Sequence, residues 1–157
     1  MKAQVWSLDL ITSLVVFLVV LIPLFFVWSY VNMQSQQQIL FDEIEMLSLS
    51  VSDSLIRTEG LPEGWNSSSV TLIGLASEEN ILNATKVSYF LTMGNSEYNR
   101  TRAILTGSYD FFFNLTDLNG TSHGTIGNKP QNRMIIPIER YCLYNERIVK
   151  LEFALIV

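Results

Sequence analysis

The stretch between Asp9 and Asp42 contains no charged side chain, and no other feature limits so strongly what this chain can fold into. Leu10 to Val31 is apolar apart from Thr12, Ser13, Pro23 and Ser29. As a helix these 22 residues extend roughly 33 Å at about 1.5 Å each, enough to cross the hydrocarbon core of a bilayer. A cleaved secretory signal would have a shorter apolar region followed by small residues at the cut. Here Phe25, Phe26 and Trp28 follow Pro23, and large aromatics suit a membrane–water interface better than a peptidase site. The segment is therefore expected to stay on the mature protein.

Of the 157 residues 48% are hydrophobic and only 16% charged, and the apolar excess is concentrated in that one stretch. About a hundred residues of ordinary polarity remain, enough for one modest core. A net charge of -5 with no basic stripe excludes a nucleic-acid partner, which needs clustered Lys and Arg. Cys142 is the only cysteine, which excludes an internal disulfide and a multi-cysteine metal site. Lys2 precedes the apolar run, while Asp42, Glu43 and Glu45 come first beyond it and the next basic residue is Arg57. That charge bias predicts a cytoplasmic N-terminus and an external C-terminus. Asn-x-Ser/Thr triplets begin at Asn66, Asn83, Asn99, Asn114 and Asn119, all after the apolar run. With 11 asparagines chance gives about two, so the excess predicts an N-glycosylated exterior surface.

The short start Met1-Lys2-Ala3-Gln4-Val5, then Trp6-Ser7-Leu8-Asp9, then the apolar helix, resembles the class III signal of archaeal type IV pilins and archaellins. The resemblance implies a prepilin peptidase that cuts after a small residue following a basic one. Lys2, Ala3 and Gln4 are then the processing residues, with Gln4 the new terminus. Gln4, Ser7 and Asp9 look like the Gln…Ser…acid pattern of many archaeal pilins, one residue more widely spaced than the commonest form, so a cut between Gln4 and Val5 also fits. The run Thr58-Glu59-Gly60-Leu61-Pro62-Glu63-Gly64-Trp65, followed by Ile73-Gly74-Leu75-Ala76-Ser77, Asn83 and Lys86, is similar to a recurrent run in archaeal pilin-like proteins. So is the ending, with Arg140 and Ile148-Val149-Lys150-Leu151-Glu152.

What the resemblance implies is an α+β, type IV pilin-like fold, with a long N-terminal transmembrane and amphipathic helix packed on a small antiparallel β-sheet head. Its divisions are 1–3 signal, 4–32 hydrophobic helix, 33–60 amphipathic continuation and 61–157 head. The implied role is a major or minor pilin of a surface filament. Its partners are then other pilins met through the N-terminal helix, the prepilin peptidase, the assembly platform with its ATPase, and the membrane. The alternative is a permanently anchored surface glycoprotein acting as an adhesin or receptor component. A helix solvated equally by lipid and by sister helices serves both environments. Asp9 is expected to pair with the cleaved amine of a neighbouring Gln4 and fix register, or simply to complement the helix N-terminus. Pro23, lacking an N–H, is expected to kink or loosen the helix.

From Met33 onward Leu40, Ile44, Leu47, Val51 and Leu55 recur in steps of three and four, a stripe suited to seating a sheet, with Ser52 and Asp53 facing elsewhere. Gly60 and Pro62 supply the stop. Beyond them Val70 to Leu75 reads as a strand, and Asn83 to Thr92 and Tyr98 to Leu105 as short helices. From Tyr109 to Thr116 the pattern alternates, with Tyr109, Phe111, Phe113 and Leu115 on one face and Asn114 on the other. Asp117 to Gly120 reads as a turn and Gly120 to Gln131 as a loop holding His123, the only histidine. Arg133 to Leu143 and Arg147 to Val157 form a hairpin, whose first strand Pro137 places at an edge or bulge. Neither His123 nor Cys142 has neighbours in sequence that would activate it, and Asp42, Glu43 and Glu45 lack the loop geometry of a calcium site. No catalytic residue, metal ligand or cofactor is expected.

Overall fold

The computed structural model describes residues 2–129 and 137–156, without the side chains of residues 2–8 and 34–40. Leu40 of the stripe, the side chains of Lys2, Ala3 and Gln4, and the start of the hairpin at Arg133 therefore lie outside the described residues. The chain divides into two compact units, 1–43 and 44–157. The described residues of the first all belong to helix α1 (Lys2–Arg57), and the last turns of α1 belong to the second.

The second unit is an α+β head. After α1 come β1 (Ala76–Glu78), β2 (Ile81–Leu82), α2 (Ala84–Ser96), α3 (Tyr98–Leu105), β3 (Asp110–Asp117), β4 (Ser122–Ile126), β5 (Ile138–Tyr144) and β6 (Arg147–Ile156). The strands form one six-stranded sheet in the order β1-β2-β5-β6-β3-β4. The sheet is mixed, which corrects the antiparallel expectation. Ile81 of β2 pairs with Leu143 of β5 in parallel, because the chain returns to β2's edge only after crossing through the helices and β3. The remaining pairings are antiparallel, with β3 against β6 from Asp110↔Ile156 to Asp117↔Val149.

Period-two alternation explains the central strands. Phe111, Phe113 and Leu115 on β3 and Val149, Leu151 and Phe153 on β6 are fully buried on one face. The β5–β6 hairpin turns through Asn145 and Glu146, both at positive φ, as a two-residue hairpin loop of matching twist requires. Pro137 directly precedes β5. That strand lies inside the sheet order rather than at an edge, but β2 meets it only at Leu143, the end remote from the proline. Val70 to Leu75 is not a strand: only Leu72 makes a bridge, to Leu61. The segment expected as a loop after Gly120 contains β4.

Helices cover the buried face. Asn83 caps α2, its side chain accepting from the Thr85 and Lys86 amides at 3.0 and 3.3 Å. On α2, Phe90 meets the Phe113 ring edge-on at 5.0 Å. There is no room for a side chain at Gly94 beside Ile126 or at Gly124 beside Leu91, so α2 lies close on β4. Ile44, Val51, Leu55 and Ile56 of α1 are buried in the same core, with Leu47 packed at its margin. Ser48 and Ser52 are fully buried as well, against the expectation that Ser52 faces outward. Their small side chains sit one turn apart on the core side, and the Ser52 hydroxyl donates to the Leu49 carbonyl at 2.9 Å. Asp53 reaches Arg140 on β5 at 2.9 Å.

Candidate functional site

The most apolar 18-residue window within Asp9 to Met33 has a mean hydropathy of 3.0, and none of that window is buried. The exposed side chains run right round the helix, from Leu10 through Phe17 and Phe26 to Met33. This is a segment long and apolar enough to cross a membrane, and its exposure separates it from the core helix of a soluble protein. Nineteen large hydrophobic side chains stand exposed between Leu10 and Met33, and removing them from water is worth on the order of tens of kcal/mol. An apolar surrounding would therefore stabilise the segment.

Two of the polar groups in the segment bond back to the helix itself. The Thr12 hydroxyl donates to the Asp9 carbonyl at 3.0 Å and the Ser13 hydroxyl to the Leu10 carbonyl at 2.9 Å. Asp9 is exposed at the N-terminal end of the apolar run. Pro23 stands inside α1, which is helical on both sides of it.

At the other end of α1 the structure gathers residues that are scattered in sequence. Its final carbonyls, orphaned by the helix ending, accept amides from the following segment, Leu75 to Leu55 and Asn80 to Ile56, both at 2.9 Å, and Thr58 just past the helix accepts from Ala76 at 3.1 Å. Trp65 is buried here, its indole N–H shared between the Glu59 and Gly74 carbonyls, both at 3.0 Å. Gly60 has a φ of +77°, and a Cβ on it would strike the Leu72 carbonyl and the Trp65 indole. The Lys86 ammonium, also buried, donates to the Ala76 carbonyl at 3.2 Å and lies 3.4 Å from the Glu59 carboxylate. Glu59, Gly60, Trp65, Gly74, Ala76, Asn83 and Lys86 thus form one knot that closes the helix and joins it to the sheet.

His123 lies on β4, not in a loop. Its Nε2 is 2.7 Å from Asp117 Oδ1 and its ring meets Tyr144 edge-on at 5.2 Å. Arg147 approaches the other Asp117 oxygen at 4.0 Å. Sequence spacing gives no sign of this group, because it forms across the β3–β4 and β5–β6 turns. Cys142 is buried, and burial pushes its thiol up to about 12, so it is a packed side chain rather than a nucleophile. Asp42, Glu43 and Glu45 are exposed. Among the described residues no group of three or more His, Cys, Asp or Glu side chains is placed to hold a metal ion.

The five sequons occupy different settings. Asn66 is exposed in a tight turn, its Oδ1 accepting from the Ser68 and Ser69 amides. Asn83 is the half-buried cap of α2, and Asn99 is exposed on α3. Asn114 is half-buried on β3, its Oδ1 accepting from Ser122 and Thr125. Asn119 is exposed in the β3–β4 turn. Comparison with protein-family models, curated proteins and solved structures finds no match.

Proposed function

We propose that this chain is a subunit of a type IV pilus-like surface filament, inserted in the membrane before assembly and held in the filament through its N-terminal helix. The observation that carries the reading is the wholly exposed apolar helix from Asp9 to Met33, continuous with turns that are buried in the head's core. Lipid and sister helices are equally apolar, so the same surface suits storage in a bilayer and bundling with copies or related pilins. The start Lys2-Ala3-Gln4 and the acid at Asp9 support processing by a prepilin peptidase and assembly by a platform with its ATPase. In this reading the N-terminus is cytoplasmic before processing and the head lies outside the cell.

The test is the mass of the mature N-terminus together with peptide identification in filaments sheared from cells. The expected result is loss of Met1 to Ala3 and recovery of the chain from filaments, with assembly reduced at least tenfold in Asp9→Ala. Retention of Lys2 with no chain in sheared filaments would instead make it a fixed single-pass anchor displaying its head.

A further inference from the structure

The folded head does not offer its five sequons equally. An N-glycosyl transfer joins Asn Nδ2 to the anomeric carbon of a sugar. The bond from that carbon to the phosphate oxygen of a lipid-linked oligosaccharide breaks, the lipid phosphate leaves with the electron pair, and Nδ2 gives up one proton. The Ser or Thr two residues on belongs to the signal because its hydroxyl is read along with the asparagine. Both side chains must therefore be reachable together, on backbone free to fit an enzyme's cleft.

Three sequons fail this condition. At Asn99 the asparagine is exposed, but Thr101 is completely buried and its hydroxyl donates to the Glu97 carbonyl at 3.2 Å. At Asn114 the backbone is paired on both sides, to Glu152 of β6 and Thr125 of β4, and its side-chain oxygen holds two hydroxyls. At Asn83 the side chain caps α2, while its amide donates to Leu75 at 2.8 Å and its carbonyl accepts from Val87 at 3.0 Å.

Two sequons meet it. Asn119, Gly120 and Thr121 are all exposed in the β3–β4 turn, where Gly120 takes a φ of +85°. Asn66 and Ser68 are exposed in a turn whose backbone bonds are local, unlike those of Asn83: the Asn66 amide donates to the Ser69 hydroxyl at 3.1 Å, its carbonyl accepts from the Ser69 and Val70 amides at 3.2 Å, and Arg100 of α3 holds the Ser67 and Ser68 carbonyls. The turn uses Asn66 Oδ1 as an acceptor and leaves the reacting Nδ2 uncommitted to those bonds.

We infer that Asn66 and Asn119 are the glycosylated residues of the folded head, taking sugar from a lipid-phosphate-linked donor, and that Asn83, Asn99 and Asn114 stay bare. This rests on the outward-facing head of the proposed function. The test is glycopeptide mass analysis of the full-length protein from the cells that make it. Protease added to intact cells reports in parallel which side the head is on. Sugar mass is expected on the peptides carrying Asn66 and Asn119 alone. Ser68→Ala and Thr121→Ala, which leave both asparagines and the Asn66 turn in place, should each remove one glycan mass. Sugar on Asn83, Asn99 or Asn114, or a bare Asn66 or Asn119 on heads that the protease digests, would overturn the assignment and leave the filament reading standing. Sugar at both sites on a chain that keeps Lys2 and never enters filaments would uphold the assignment and overturn the filament. Bare sequons on heads shielded from the protease would overturn both.

Discussion

Cys142 faces the core of the head, its Sγ 4.0 Å from the Val149 carbonyl, and the absence of water there raises its pKa to about 12. An ordinary cysteine ionises near 8.5, so at pH 8 the native thiol holds roughly a thousandfold less thiolate than the unfolded chain. Iodoacetamide at pH 8 should therefore label Cys142 on the order of a thousandfold more slowly in native protein than in denaturant. Equal rates read by intact mass would show the thiol to be open. Its burial was legible in the sequence, because an uncharged small residue in an alternating strand has one sensible place. The inward facing of Ser52 was not legible: a serine is cheap to bury when its hydroxyl bonds back to its own helix, so polarity alone does not say which way it faces. The His123–Asp117 contact was also hidden, since its partners are chosen by strand register and not by spacing.

Helix α3 is fastened to the start of β3 by Tyr98 and by Arg102, whose guanidinium meets Asp110 at 2.8 Å. The Tyr98 ring stacks on Phe111 at 5.3 Å, and its hydroxyl donates to the Phe111 carbonyl at 3.2 Å while accepting the Phe111 amide at 3.0 Å. Burial raises the Tyr98 pKa above its ordinary value, opposed by the Phe111 hydrogen bond. A raised pKa means the folded state prefers the neutral phenol. The stability this contributes is complete below about pH 10, the unfolded value, and is lost as pH rises through the folded one. Tyr98→Phe should cost about 1–2 kcal/mol at pH 7, because a buried amide loses its acceptor, and the gap from wild type should narrow by pH 11. Urea unfolding at the two pH values measures this, and a gap that widens would refute it. The two short helices and the β5–β6 hairpin could be read in the sequence, although the cap that Asn83 makes on α2 was not. Strands β1, β2 and β4 could not, because two to five residues with Gly and Ser carry too little alternation to distinguish them from loop. The parallel β2–β5 contact joins distant segments whose adjacency depends on the whole crossover.

At the scale of the molecule, one continuous helix serves two different surroundings, and the change comes near Glu43. Among the described side chains the large apolar ones from Leu10 to Met33 are exposed. C-terminal to Glu43, Ile44, Val51, Leu55 and Ile56 are buried in the head's core. At about 1.5–3 kcal/mol each, these four side chains contribute about 6–12 kcal/mol, which is comparable to the whole stability of a domain. The final carbonyls of α1, at Leu55 and Ile56, also take amides from Leu75 and Asn80, so the segment after the helix needs it as a template. Two truncations should therefore behave oppositely. A chain beginning at Ile44 should be soluble without detergent and unfold cooperatively, whereas one beginning at Thr58 should lack a cooperative transition and expose apolar surface. Thermal unfolding followed by near-ultraviolet circular dichroism, where the buried Trp65 reports packing, distinguishes them. If the Thr58 chain folded as well as the Ile44 chain, α1 would be only a tether.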